Sequence, residues 1–144
     1  MPNDQNTTEN SINGNTPSAD PNSTAALIEE LSKVPPLKDY KVEGDVHIET
    51  MTFSSFGMGD MAHNIFIDSK NEERDFAGNL TNTELFLESQ EASDENGGYE
   101  SNPTYVGKKF TVGWRRVKST KKPVDFIEEL YQEFDEIIYL KQLN

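Results

Sequence analysis

The fifteen residues Tyr105–Ser119, YVGKKFTVGWRRVKS, constrain this chain more than any other stretch. Phe110, Val112, Trp114 and Arg116 fall on one side at every second position and Thr111, Gly113, Arg115 and Val117 on the other, which is the alternation of a half-buried β-strand. Burying three large apolar side chains on one face contributes about 2 kcal/mol each. Other strands must therefore cover that face, and Trp114, the only tryptophan, is expected in the core.

The flanking sequence supplies those strands. Val42, Val46, Ile48, Met51 and Phe53 are separated by polar residues, and Gly44 interrupts them, which predicts a strand over 40–53 with a bulge or bend at the glycine. FGMGD then turns the chain. His63, Ile65 and Ile67 alternate with Asn64, Phe66 and Asp68 in a second strand, so residues 40–68 read as a long antiparallel hairpin. SKNEE makes the next turn, and Arg74–Ala77 suits a short third strand. LTNTELFLE (80–88) fits either a strand or a single helical turn, and SQEASDENGGYESNPT (89–104) reads as an acidic, glycine-rich surface loop.

Beyond the central strand, Lys118–Lys122 forms a basic turn ending at Pro123, a residue suited to a helix start. Val124, Ile127, Leu130, Tyr131 and Phe134 follow at helical spacing with acids opposite, predicting an amphipathic helix of about three turns. EIIYLKQL closes the chain as a last strand. These elements add up to an α+β fold: a small antiparallel β-barrel with an amphipathic helix before its final strand.

The N-terminal residues do not fit such a core. MPNDQNTTENSINGNTPSADPN has almost nothing to bury and no basic residue, so residues 1–22 are expected to be a disordered tether. A short helix over 24–34 follows, capped by Ser23 or Thr24, striped by Leu27, Ile28 and Leu31, and stopped by Pro35-Pro36. Residues 23–144 are read as a single domain.

Charge and cysteine content narrow the function. With 26 acidic and 13 basic residues the net charge is −13, which opposes association with nucleic acid or an anionic membrane and favours a basic partner. The absence of cysteine excludes disulfides and thiolate metal sites. No apolar run approaches the roughly 20 residues of a membrane-spanning helix. The N-terminus lacks a signal-peptide pattern, which leaves two locations: the cell envelope if a signal peptide was removed, otherwise the cytoplasm.

Tyr105, Gly107, Lys108, Lys109, Phe110, Val112 and Trp114, together with the terminal EIIYLKQL, carry a resemblance. This third of the chain resembles the closing half of small OB-like β-barrel domains in bacterial envelope lipoproteins of uncharacterised role. Their lipidated cysteine is followed by a polar spacer similar to the Asn/Thr/Ser-rich tail here. The resemblance implies an OB-like barrel. This chain departs from the pattern by lacking the lipobox cysteine and by its predicted helix 124–134, where a shorter connection is usual.

The candidate chemistry is sparse. His47 and His63, with Asp45, Asp60 and Asp68 nearby, are the residue types that bind zinc. Their spacing follows no metal motif, and isolated strand histidines are ordinarily surface residues, so no metal is expected. Adjacent carboxylates such as Glu128-Glu129 and Asp135-Glu136 point in different directions on a helix and form a solvated face, not an acid/base pair. GMGDMAH lacks the Lys-Ser/Thr of a phosphate loop. Ser54 and Ser55 sit in no nucleophile elbow, and the glycosylation sequons at Asn6, Asn22 and Asn79 are expected by chance in an Asn/Thr-rich chain. No catalytic residue and no cofactor are expected.

One contrast of charge remains. Lys108, Lys109, Arg115, Arg116, Lys118, Lys121 and Lys122 supply seven of the 13 basic residues, beside Trp114, as in barrels that bind single strands. Six acids and no base lie between Asp125 and Glu136, so the favoured reading is that the two segments screen one another. The excess acids, Glu88, Glu91, Asp94 and Glu95 in the loop and Asp125, Glu129, Glu133 and Glu136 along the predicted helix, form the candidate interaction surface. The expected function is a non-catalytic, protein-binding domain. The alternatives are a small acidic immunity- or inhibitor-type protein that neutralises a basic partner, and a single-stranded nucleic-acid-binding barrel.

Overall fold

The alternating residues after Tyr40 fold as one long strand, β1 (Tyr40–Met58), in the computed structural model, which describes residues 21–89 and 97–143. Gly44 adopts φ +87°, and the pairing register slips between Glu43 and His47. A side chain at that φ would be strained, so the glycine is what lets the bulge form and the strand bend. Bending allows β1 to pair along Tyr40–Thr52 with β7 (Lys109–Ser119) and along Thr52–Met58 with β2 (Ala62–Ile67), both antiparallel. The bend at Gly44 and the central strand are as the sequence predicts.

β2 pairs with β3 (Glu73–Phe76), and β7 pairs with the last strand, β8 (Glu133–Gln142), again antiparallel. β4 (Gly78–Asn79) lies parallel to β8 on its other side, giving the order β3-β2-β1-β7-β8-β4 in a sheet curled as a half-barrel. Only Ala77 separates β3 from β4, so a single segment runs from one edge of the sheet to the other. Ala77 N–H donates to the Asp135 carbonyl at 3.1 Å and Leu80 N–H to the Ile137 carbonyl at 2.8 Å. The approach is close enough that a Cβ on Gly78 would lie 2.9 Å from the Phe134 ring.

One face of this sheet carries the main core. Met51 and Phe53 of β1, Phe66, Phe76, Phe110, Val112 and Ile137 are buried together with Phe56 and Leu85. Phe66 is the hub, with ring centroids 5.3 Å from Phe53, 5.9 Å from Phe76 and 6.1 Å from Phe110. On β2 the buried positions are Asn64 and Phe66, whereas Ile65 and Ile67 are half-buried. The Asn64 side-chain amide is satisfied by donating to the Phe76 carbonyl at 2.9 Å, which is why a polar residue is tolerated there.

The opposite face of the β7–β8 ladder holds a second buried set outside that cluster: Arg115, Val117, Phe134 and Glu136. Phe134 packs edge-on against Tyr40 at 5.5 Å and Tyr131 at 5.8 Å.

Two predicted elements need correction. The three-turn helix 124–134 is a five-residue helix, α2 (Phe126–Leu130), and Glu133 and Phe134 already belong to β8. The helical period of this sequence is outweighed by the ladder that residues 133–142 complete along β7, a tertiary override of local preference. Within 80–104, β5 (Phe86–Glu88) and β6 (Tyr99–Ser101) form a separate two-stranded sheet, so the stretch expected to be all loop contains a strand.

The chain divides into two compact units, Met1–Lys33 and Val34–Asn144. The first contains α1 (Pro21–Leu31), which begins at Pro21, three residues before the expected start. Proline suits that position because the backbone N–H it lacks would have no partner in the first turn in any case. The helix ends four residues before Pro35. Residues 1–20 of the expected tether lie outside the described residues.

Candidate interaction surface

The acids proposed from sequence fall into three kinds of place. Glu88 is exposed at the end of β5, while Glu91, Asp94 and Glu95 lie outside the described residues. Asp125, Glu129 and Glu133 are exposed. Glu136 is not on the surface at all: it is 1% exposed. Because residues 133–142 form a strand, Glu133 and Glu136, an odd number of positions apart, point to opposite faces, so the single acidic helical face does not exist.

Glu136 is buried because Arg115 is. Arg115, 0% exposed, donates Nε–H to Glu136 Oε2 at 2.8 Å and an Nη1–H to the Val34 carbonyl at 2.8 Å. Its neighbour Arg116 faces solvent and bonds Glu133 at 3.0 Å and Asp135 at 3.1 Å. Asp135 first, then Glu133, hold that guanidinium charged even beyond its ordinary range. Lys121 pairs with Asp39 at 3.2 Å. Three of the seven basic residues are thus compensated internally, Arg115 and Arg116 through cross-strand pairs of the β7–β8 ladder and Lys121 by Asp39, where a strand-to-helix pairing was expected. Lys108, Lys109, Lys118 and Lys122 stay exposed.

The feature that sequence reasoning missed is apolar. In the β7–β8 connection Val124 is 83%, Phe126 61% and Ile127 43% exposed, although Val124 and Ile127 were expected on the buried stripe of a longer helix. The three form a knuckle with Asp125, Glu128 and Glu129 between and beside them. The knuckle is braced from behind: Tyr40 Oη–H donates to the Tyr131 carbonyl at 2.8 Å, and Ala62 N–H donates to Tyr131 Oη at 2.7 Å. Tyr131 thereby fastens the connection both to the start of β1 and to the start of β2, beside the β1–β2 turn. Asp125 caps α2 by accepting from Glu128 N–H at 2.8 Å, and Glu128 accepts from Val124 N–H at 2.9 Å. These bonds fix the backbone beneath the exposed side chains, so less of its ordering entropy is left to lose when something covers them. The sequence signal for it was VDFIEE itself, whose apolar residues sit too near the proline and the cap to lie on one buried stripe.

The remaining candidates sit elsewhere. Trp114 is half-buried, a correction to its expected place inside the core. It packs on the edge of that core at the Phe76 ring, 5.6 Å away, and its indole also carries the stacked His47 ring at 4.4 Å and the Arg74 guanidinium at 4.9 Å. With these neighbours the ring is no open stacking platform. His63 bonds Asp75 at 2.7 Å and lies opposite Gly57, ten residues along β1 from His47, on the order of 30 Å of ladder. Asp68 is engaged by Lys70 and Glu72 N–H, each at 2.9 Å, and these bonds, Glu72's foremost, hold its carboxyl below the ordinary range. Among the described residues no group of three or more metal-ligating side chains converges, and no helix is long and apolar enough to cross a membrane. Asn79 spends its amide internally, donating to the Thr83 carbonyl and accepting from Thr81. No family model, curated protein or solved structure matches the chain.

Proposed function

We propose that residues 34–144 are an OB-like barrel serving as a non-catalytic protein-binding domain, with the knuckle Val124, Phe126 and Ile127 as its contact. The strand order supports the OB-like reading. Taking β3 and β4 as one strand that changes partner, the long bent β1 pairs with its two neighbours and the third strand meets the fifth in parallel, the pairing expected of a five-stranded Greek-key barrel. In that architecture the loops after the first and fourth strands flank the binding face, and here Tyr131 ties those two loops together.

The single observation that carries the function is the exposure of three neighbouring apolar side chains on a braced loop. Isolated exposed apolar residues need no explanation, but a fixed cluster rimmed by charge marks an interaction site. Asp125, Glu128 and Glu129 at its rim, on a chain of net charge −13, select a partner that presents an apolar contact with basic residues around it. An immunity- or inhibitor-type role would be one form of this function.

The test is a quantitative capture experiment from the source cell at low and high salt, comparing the parent protein with Phe126→Ser/Ile127→Ser. The proposal expects at least one basic protein retained by the parent and lost by the variant, with unchanged circular dichroism. Equal capture by both would refute it. Tight, salt-sensitive binding of a labelled single-stranded oligonucleotide instead would shift the assignment to nucleic acid.

A further inference from the structure

We infer that residues 34–39 are a strap coupling the buried Arg115 to the knuckle, so that the chain leading into Val34 regulates how firmly the contact surface is held. This rests on the reading of the knuckle as a contact surface and adds its regulation. The strap is fastened at both ends. At the first, Arg115 Nη1–H donates to the Val34 carbonyl at 2.8 Å. At the second, the Asp39 carbonyl accepts from Thr120 N–H at 2.8 Å and from Thr120 Oγ1–H at 3.1 Å, and the Asp39 carboxylate holds Lys121 at 3.2 Å. Among the described residues, the bond between those ends is the strap's own turn, Tyr40 N–H to the Leu37 carbonyl at 3.1 Å, while Pro35, Leu37 and Lys38 are exposed. Val34 begins the second of the two compact units, so movement of the preceding chain acts first on the Arg115 end.

The strap is stiff and its fastenings are costly. Proline fixes φ at Pro35 and Pro36 and confines the residue before each to extended backbone, so a shift at Val34 is passed along the strap and not absorbed within it. Asp39 sits at φ +70°, a left-handed conformation that is strained for a residue with a side chain unless its surroundings hold it. At the other end Arg115 and Glu136 are kept from water, and Arg115 Nη2 is buried with no hydrogen-bond partner among the described residues. Opening hydrates both charges, gives that donor an acceptor and lets Asp39 relax, which offsets part of the loss of the fastening bonds. Such a segment opens locally, below the free energy of global unfolding. The knuckle loosens with it. Thr120 and Lys121 lead into Pro123 and Val124, and Tyr40, next to Asp39, donates to the Tyr131 carbonyl where the connection returns to β8. Opening therefore frees the knuckle at both ends and restores the ordering entropy that a partner must remove. By linkage, a partner on the knuckle favours the fastened strap to the same extent.

Hydrogen exchange of the full chain, followed by NMR residue by residue in urea below the unfolding transition, tests this. In the parent the amides of Tyr40, Thr120 and Tyr131 should exchange together at a rate independent of low urea, while that of Phe66 in β2 follows global unfolding. Arg115→Lys keeps a charge beside Glu136 but cannot also reach the Val34 carbonyl, and should speed all three strap and knuckle amides about tenfold. In a Pro35→Gly/Pro36→Gly background the ends open independently, so the same substitution should still speed Phe66 but leave Thr120 and Tyr131 unchanged. Circular dichroism confirms folding of each variant. Exchange of Thr120 in the parent only through global unfolding overturns the inference. So does an Arg115→Lys variant that speeds Phe66 and leaves Thr120 and Tyr131 as in the parent. These readings involve no partner, so a capture experiment that retains nothing removes the contact reading without touching the linkage of strap and knuckle.

Discussion

Arg115 and Arg116 are neighbours on the same strand, yet they lead different physical lives. Arg115 is sealed from water with one carboxylate and one backbone carbonyl, while Arg116 holds two carboxylates in solvent. Removing one member of a buried pair strands a charge in low dielectric, whereas an exposed pair exchanges its partner for water and ions. Two adjacent charges that look alike in sequence therefore differ several-fold in what the removal of a partner costs. The cause is the strand itself, since alternate residues point to opposite faces.

The sharpest break of that contrast is Glu136→Gln, which keeps the shape and leaves Arg115 charged and uncompensated. It should destabilise the domain by about 3 to 5 kcal/mol in urea unfolding. Arg115→Met combined with Glu136→Leu should recover most of this loss, because an apolar pair of similar volume carries no desolvation penalty; a double variant as unstable as the single would mean that the loss comes from packing and not from charge. Arg115→Lys should cost about 1 to 3 kcal/mol, since a point charge cannot reach both Glu136 and the Val34 carbonyl as the guanidinium fork does. On the exposed side, Arg116→Ala should cost at most about 1 kcal/mol, falling toward zero in ~1 M salt. A salt-independent loss there would erase the distinction.

The smallest expected effect uses pH. Burial pushes the Tyr139 phenol above its ordinary value, and burial followed by the nearby Glu128 charge does the same for Tyr40. A raised folded-state value means that the folded chain keeps these protons longer than the unfolded one does. Their contribution is therefore complete below about pH 10, the unfolded phenol value, and is lost as pH rises through the folded value. Tyr139→Phe should flatten the alkaline limb of the stability profile and leave its neutral part nearly unchanged. An alkaline limb of the same slope in the variant would rule Tyr139 out as its source.

Much of the half-barrel sheet was legible because alternation and glycine act locally. Phe110, Val112 and the bend at Gly44 announce their strands without reference to anything distant. Three things were not legible. The periodicity of VDFIEELYQEF fits a helix, and only the presence of β7 alongside draws Glu133, Phe134 and Asp135 into the last strand. Tyr99–Ser101 is too short, in too polar a setting, to declare itself before β5 is there to pair with it. The burial of Glu136 depends on which face of the ladder Arg115 occupies, and a charge in a sequence has no face until its strand is paired. The one hint was that Arg115-Arg116 and Asp135-Glu136 sit in the two strands that flank the turn, in reach of reciprocal pairing. The candidate surface suffered most, because exposure of Val124, Phe126 and Ile127 follows from α2 being short.

The handover of β1 from β7 to β2 at Thr52 also sets the order in which the chain can assemble. The β1–β2 turn joins near neighbours and closes at small entropic cost, whereas Tyr40 must find Ser119 across most of the domain. Thr52 and Lys109 are the nearest β1–β7 partners in sequence, and the adjoining Phe53 exchanges backbone bonds with Lys108 at 2.9 Å and Gly107 at 2.8 Å. Zipping of the long ladder is therefore expected to begin at that end and to finish at Tyr40. A topology so rich in distant pairings folds in milliseconds to seconds. In pulse-labelled exchange during refolding, amides of β2 should gain protection before those at the Tyr40–Ser119 end.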